Sequence, residues 1–150
     1  MDHTDYFLPP AADEWELSAW SSILPTSGRV LRTNLFGDAF VIDDNGSVHM
    51  LDRGGCSSER ITSSEEEFWR EVRDDSQGWQ LRRLADDCQK SGMILGDGQC
   101  YAYKMLPVLG GDYNVDNIWI ASWTEWFSLT ADLFQQIKDL PDGTAITLKT

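Results

Sequence analysis

Apolar and polar positions change period several times along the chain, and each change marks an element. Arg29 to Leu35 and Ala39 to Ile42 are short β-prone runs broken at Phe36-Gly37-Asp38. Ser47 to Leu51 returns as a partner strand. Between them, Asp43-Asp44-Asn45-Gly46 is a hairpin signal, because Asn-Gly accepts the positive φ angles that tight turns require. Arg53 to Ser58 reads as a loop and Arg60-Ile61-Thr62 as an edge strand. The period then lengthens to that of a helix. Ser63 or Ser64 caps it, Glu65 to Glu67 complement the helix dipole, and Phe68, Trp69 and Val72 form its buried face until Asp74-Asp75-Ser76 breaks it. A further helix is expected from about Gln77 to Lys90, with Leu81, Leu84, Ala85 and Cys88 on one stripe and Gly92 as its stop.

The C-terminal third carries the densest apolar pattern. Met93 to Leu95 is expected to pair, across Gly96-Asp97-Gly98, with a strand from Tyr101 to Val108. Val115 to Ala121 reads as a central strand because its middle is largely apolar. Ser122-Trp123-Thr124-Glu125 has capping-box spacing, and Trp123, Trp126, Phe127, Thr130, Leu133, Phe134 and Ile137 follow at helical intervals. Leu140-Pro141-Asp142-Gly143 stops that helix and turns the chain into a last strand, Thr144 to Leu148. At the other end, residues 13–24 are expected to form a short amphipathic helix between Pro9-Pro10 and Pro25, burying parts of Trp15, Leu17 and Trp20, with His3 in a loose terminus before it. These elements predict a single α+β domain: a mostly antiparallel sheet with about four helices packed around it.

Composition narrows the class. A chain of 150 residues with 41% hydrophobic residues and seven tryptophans is long and apolar enough to bury one core. No run approaches the roughly 18 apolar residues of a membrane span, and the acidic start MDHTDYFLPPAADEWEL lacks a signal-peptide core, so a cytoplasmic location is expected. Cys56, Cys88 and Cys100 are odd in number and irregular in spacing, which fits reduced thiols. Twelve basic against twenty-five acidic residues give a net charge of −13. Such a field repels phosphate backbones and speeds association with a basic protein surface.

Side chains that bear chemistry do not assemble into a catalytic pattern. The Asp43–Gly46 stretch fails as a calcium loop, since aligning its glycine puts Val41 at the first ligand position. Two histidines and no Cys-x-x-Cys argue against a zinc site, and no cofactor motif is visible. Cys56 with His49 would make a nucleophile–base pair only if folding joined them, and strand alternation points His49 toward solvent. Asp74-Asp75, Asp86-Asp87 and Asp112 with Asp116 are paired carboxylates, but acid–base work needs a pocket that raises one of them. Asp86 and Asp87 lie opposite the apolar stripe of their helix, on its solvated side. Gly110 to Asn114 has the glycines of an anion nest without the lysine and Ser/Thr of a P-loop, and reads as a connection between strands.

Pro107-Val108-Leu109-Gly110-Gly111-Asp112-Tyr113, followed by Gln136 to Gly143, resembles the C-terminal domain family of type VI secretion immunity proteins. The resemblance covers residues 95–148, with a looser likeness over 30–72 through Asn34 to Phe40 and Asp44-Asn45-Gly46. It implies a non-enzymatic protein that binds and neutralises a cognate secreted toxin, in the best-known case a DNase, by covering its active site. The partner would be basic. Asp86, Asp87, Asp97, Asp112 and Tyr113 are the candidate toxin contacts, chosen for expected exposure. A looser likeness to SUKH-type proteins implies the alternative of a scaffolding module holding a host partner, and a small hydrolase built on Cys56 or the carboxylates ranks third.

Overall fold

The computed structural model describes residues 2–140. The expected turn at Pro141 and the last strand, Thr144 to Leu148, lie outside the described residues. An antiparallel sheet of four strands is laid down in chain order: β1 (Arg29–Thr33), β2 (Ala39–Ile42), β3 (Val48–Asp52) and β4 (Ser57–Thr62). The helices α1 (Glu65–Asp74) and α2 (Arg82–Lys90) follow. The strands β5 (Gln99–Tyr103) and β6 (Ile118–Ser122) then form a separate antiparallel pair, and α3 (Trp123–Ile137) leaves β6 directly. The domain is α+β, with three α-helices among the described residues.

β2 is buried at every position because both faces of the larger sheet are covered. Phe40 and Ile42 point toward α1, where Phe68, Val72 and the stacked Trp79 make one core. Ala39 and Val41 point the other way and join Leu51, Trp20 and Phe134 of α3. Trp20 and Phe134 stack with centroids 4.6 Å apart, a geometry that adds to the area both rings bury. The largest core lies between the smaller sheet, α2 and α3, around Phe36, Tyr101, Tyr103, Trp126 and Phe127.

Local signals explain the elements that match expectation. The Asp43 carboxylate accepts from the backbone N–H groups of Asn45 and Ser47, closing the β2–β3 hairpin. Ser64 caps α1 through the Glu67 N–H, while Glu67 reaches back to Ser63. Ser122 accepts from the Glu125 N–H at the start of α3, and no reciprocal bond from the Glu125 carboxylate is present among the described residues.

Six expectations are corrected. Residues 13–24 are not a helix: the N-terminal stretch folds as short 3-10 turns at His3–Tyr6, Pro10–Glu14 and Ser18–Trp20, because extended Trp15 interrupts the run and separates its aromatic residues into different cores. The terminus carrying His3 is not loose, since the His3 carbonyl accepts from Gln80 Nε2 at 2.8 Å. α2 begins at Arg82 rather than Gln77, because Gly78 and Leu81 take left-handed backbone at φ 69° and 50°. Met93 to Leu95 forms no strand; the Met93 carbonyl instead accepts from the Tyr101 hydroxyl at 2.7 Å. The strand expected over Tyr101 to Val108 ends at Tyr103, and the one expected over Val115 to Ala121 begins at Ile118 and borders a two-stranded sheet instead of lying centrally.

Candidate functional site

The connection from β5 to β6, residues 104–117, is folded back on itself by one side chain. Asn117 Oδ1 accepts from the Met105 N–H at 2.9 Å, and its amide donates to the carbonyls of Met105 at 2.9 Å and Asp112 at 2.8 Å. The Lys104 N–H bonds the Asn117 carbonyl, and the Gly111 N–H bonds the Leu106 carbonyl. Gly111 is required by this closure, since a Cβ there would overlap the Met105 carbonyl. Held so, the loop leaves Met105 and Tyr113 half exposed, at 50% and 52%. Tyr113 is braced edge-on against buried Tyr103, with centroids 5.6 Å apart.

Two hollows flank the loop. The larger, about 760 Å³, lies between the α1–α2 connection, the start of α2 and residues 113–116. Its charged walls are Asp75, Arg82, Arg83, Asp87 and Asp116. Arg82 is already committed: it bonds Gln80 Oε1 and the Val72 carbonyl, pairs with Asp75 at 3.7 Å and lies over the Tyr6 ring. The smaller hollow, about 390 Å³, runs along Met105, Gly110, Gly111, Asp112, Asn114, Asp116 and Asn117, with Asp112 and Asp116 as its only charged walls among the described residues. Asn114 and Asp116 line both, so the hollows are contiguous.

This geometry divides the five candidates. Asp87 and Tyr113 line the larger hollow and Asp112 the smaller, so folding joins three of them around one loop. Asp97 is exposed but lines neither. Asp86 is no free surface carboxylate: it is half-buried and accepts from the Tyr6 hydroxyl at 2.7 Å, tying the N-terminal turns to α2. Burial and that bond push the Tyr6 hydroxyl up to about 12. Asp87 is also half-buried, at the hollow's edge. Sequence reasoning grouped Asp116 with Asp112 without nominating it, and read Asn117 as part of a strand. The signal available for Asn117 was its position, an amide next to an apolar strand and after a glycine-rich turn.

A second polar cluster lies beneath, where the two sheets meet. Asn34 Oδ1 accepts from the N–H groups of Phe36 and Asp38, and its amide donates to the Asp38 carboxylate and the Trp79 carbonyl. Asp38 also accepts from the Arg53 N–H at 3.1 Å. The Arg53 guanidinium is 1% exposed and lies 3.7 Å over the Phe127 ring, with Nε and Nη1 unbonded. Burial raises the Asp38 carboxyl, and the neighbouring Asp52 raises it further, against the pull of Asn34 and Arg53. Burial lowers Arg53 to about 10.

Cys56 and His49 are committed separately. His49 Nε2 meets the Asp43 carboxylate at 2.9 Å and is half-buried there, not turned to solvent as expected. The Cys56 thiol donates to the Arg53 carbonyl, and burial with Asp52 pushes it up to about 12, far from the thiolate a nucleophile needs. Among the described residues, no three metal-ligating side chains converge. No helix among them is long and apolar enough to cross a membrane.

Comparison with known proteins bears out the resemblance read from the sequence. The family described as T6SS immunity protein Tdi1, C-terminal, matches residues 63–134, from the cap of α1 into α3. Every residue lining the two hollows lies within that stretch. No curated protein sequence matches. Among solved structures, the chain is similar to the crystal structure of Atu4351 from Agrobacterium tumefaciens, with a TM-score of 0.54 and 16% identity over 83% of this chain. At that identity the likeness concerns the fold alone, and the chain spans 65% of the length of that structure.

Proposed function

We propose that this chain is a type VI secretion immunity protein that binds a cognate toxin in the cytoplasm and neutralises it by covering its active site, without catalysing a reaction. The observation that carries this reading is the match of residues 63–134 to an immunity-protein family. Physical chemistry supplies the manner of binding. A net charge of −13 favours a toxin with a basic substrate groove, of the kind a nuclease uses to hold phosphates. The same charge disfavours direct contact with nucleic acid. A non-catalytic role agrees with the chemistry present: the Cys56 thiol is held protonated, and His49 is paired with Asp43.

The test is co-purification of the tagged chain with the protein encoded beside it, together with growth of cells expressing both. A stoichiometric complex that weakens with salt and restores growth is the expected result. A chain that purifies alone and leaves growth inhibited overturns the reading.

A further inference from the structure

An immunity protein must present a surface rigid enough to bind tightly and chemically matched to its toxin. The β5–β6 loop has both properties. Three hydrogen bonds from Asn117 and the close approach at Gly111 hold it in one conformation, so little ordering entropy remains to be lost on binding. Exposed Met105 and Tyr113 offer apolar area at its crest. Tyrosine is among the residues that dominate binding energy once desolvated, and methionine adapts its shape to the facing surface. Asp112 and Asp116 line the smaller hollow with Met105, and Asp87 and Asp116 line the larger with Tyr113, where Arg82 and Arg83 also stand, so carboxylates flank both apolar anchors.

We propose that this loop and its two hollows are the toxin-contact surface, with Tyr113 and Met105 as anchors and the carboxylates receiving lysine or arginine side chains of the toxin. The inference rests on the immunity reading and adds the location and chemistry of the interface. Charge complementarity favours this occupant. In the smaller hollow Asp112 and Asp116 are the charged walls, so an entering cation meets only attraction from them. In the larger hollow Arg82 is bound to Asp75, and Arg83 is exposed with no carboxylate partner among the described residues. Arg83 in the larger hollow and exposed Lys104 beside Met105 are the cations that oppose a basic partner, and the sign of the Arg83 effect is diagnostic.

The experiment measures association and dissociation rates of the full chain with the purified product of the adjoining gene, at low and high salt, with melting temperatures for every variant. Tyr113→Ala is expected to raise Kd about tenfold or more. The double variant Asp112→Lys with Asp116→Lys is expected to slow association about tenfold at low salt, with the difference shrinking as salt is added. Arg83→Glu is expected to speed association. Asp97→Lys, an exposed carboxylate outside both hollows, is the control and leaves both rates unchanged. If Tyr113→Ala lowers the melting temperature, the lysine pair, whose positions are exposed, decides the matter. Rates within twofold of the original chain for all loop variants overturn the proposed surface while leaving the immunity reading intact. Equal slowing by Asp97→Lys reduces the effect to net charge and also overturns it. Failure of the unaltered chain to bind the adjoining gene product overturns the immunity reading, and this inference with it.

Discussion

Asp38 and Asp116 carry the same side chain in opposite surroundings, and the regions around them do different work. Asp38 is buried where the two sheets meet, with Asn34 and Arg53 as its partners. Asp116 stands in solvent on a loop whose shape is set by Asn117 and does not depend on the carboxylate. A buried polar group raises the cost of every alternative arrangement that would leave it unpaired, so Asp38, bonded to the Asn34 amide and the Arg53 N–H, ties the start of β2 to the end of β3. An exposed carboxylate contributes almost nothing to folding and is free to serve a partner. Acidic residues in this chain are therefore not interchangeable, although composition counts them alike.

The strongest way to break that contrast is Asp38→Ala. It leaves the Arg53 N–H without its acceptor and the Asn34 amide with the Trp79 carbonyl alone, in a dry interior. With two buried donors left short of an acceptor, the expected loss is roughly 2–4 kcal/mol in a urea unfolding curve. A loss below about 1 kcal/mol would place Asp38 energetically with the surface carboxylates.

Gly37→Ala probes the same region through the backbone. Gly37 has φ 87°, and a Cβ there would lie 2.9 Å from Phe127 Cε1 and 3.0 Å from Trp126 Cδ1. Left-handed backbone costs a residue with a Cβ about 1–2 kcal/mol, and displacing two aromatic rings adds to it. A total of about 2 kcal/mol or more is expected. A neutral result would show that this turn, and the Asn34–Asp38 network within it, yields at little cost.

Asp13 sharpens the comparison as the intermediate case. It accepts from Thr33 at 2.8 Å and sits 3.6 Å from Arg32, yet burial outweighs both and lifts it from 3.8 to about 6. Because its folded pKa is raised, the folded state holds the proton more tightly than the unfolded chain. Its contribution is therefore complete below about pH 4 and is lost as pH rises to about 6. The difference in stability between this chain and Asp13→Asn is expected to change by about 1–2 kcal/mol across that window. A flat difference from pH 4 to 6 would return Asp13 to the exposed class.

What sequence could and could not show follows the same division. The hairpin at Asp43–Gly46, the Ser64 cap of α1 and the apolar face of α3 depend on neighbours within a few residues, and all three form as read. The Asp38–Arg53 cluster depends on strand register and on α3, which are not local. Its signal was present: a lone aspartate interrupts the apolar run from Leu35 to Ile42, and such a residue is either a turn or a buried charge. The N-terminal helix failed because amphipathic spacing over residues 13–24 served two separate cores rather than one face. Of the candidate contacts, Asp97, Asp112 and Tyr113 are exposed as expected, whereas Asp86 and Asp87 are half-buried. Their assembly was not legible, because Asp87 meets Tyr113 only through the packing of α2 beside the loop.

The smallest expected effect is the one that best separates the two regions. Asp112→Lys with Asp116→Lys changes the charge by four units at positions where no hydrogen bond of either side chain shapes the loop: Asn117 uses the Asp112 carbonyl, not its carboxylate. Stability is expected to stay within about 0.5 kcal/mol. Its sign at low salt should be a slight gain, because lysines placed in a chain of net charge −13 relieve self-repulsion. Added salt should erase that gain while leaving the Asp38→Ala loss in place, since screening reaches exposed charges and not buried ones. A loss above about 1 kcal/mol would mean that these carboxylates hold the loop together, and the surface would then be structural before it is a place for a partner.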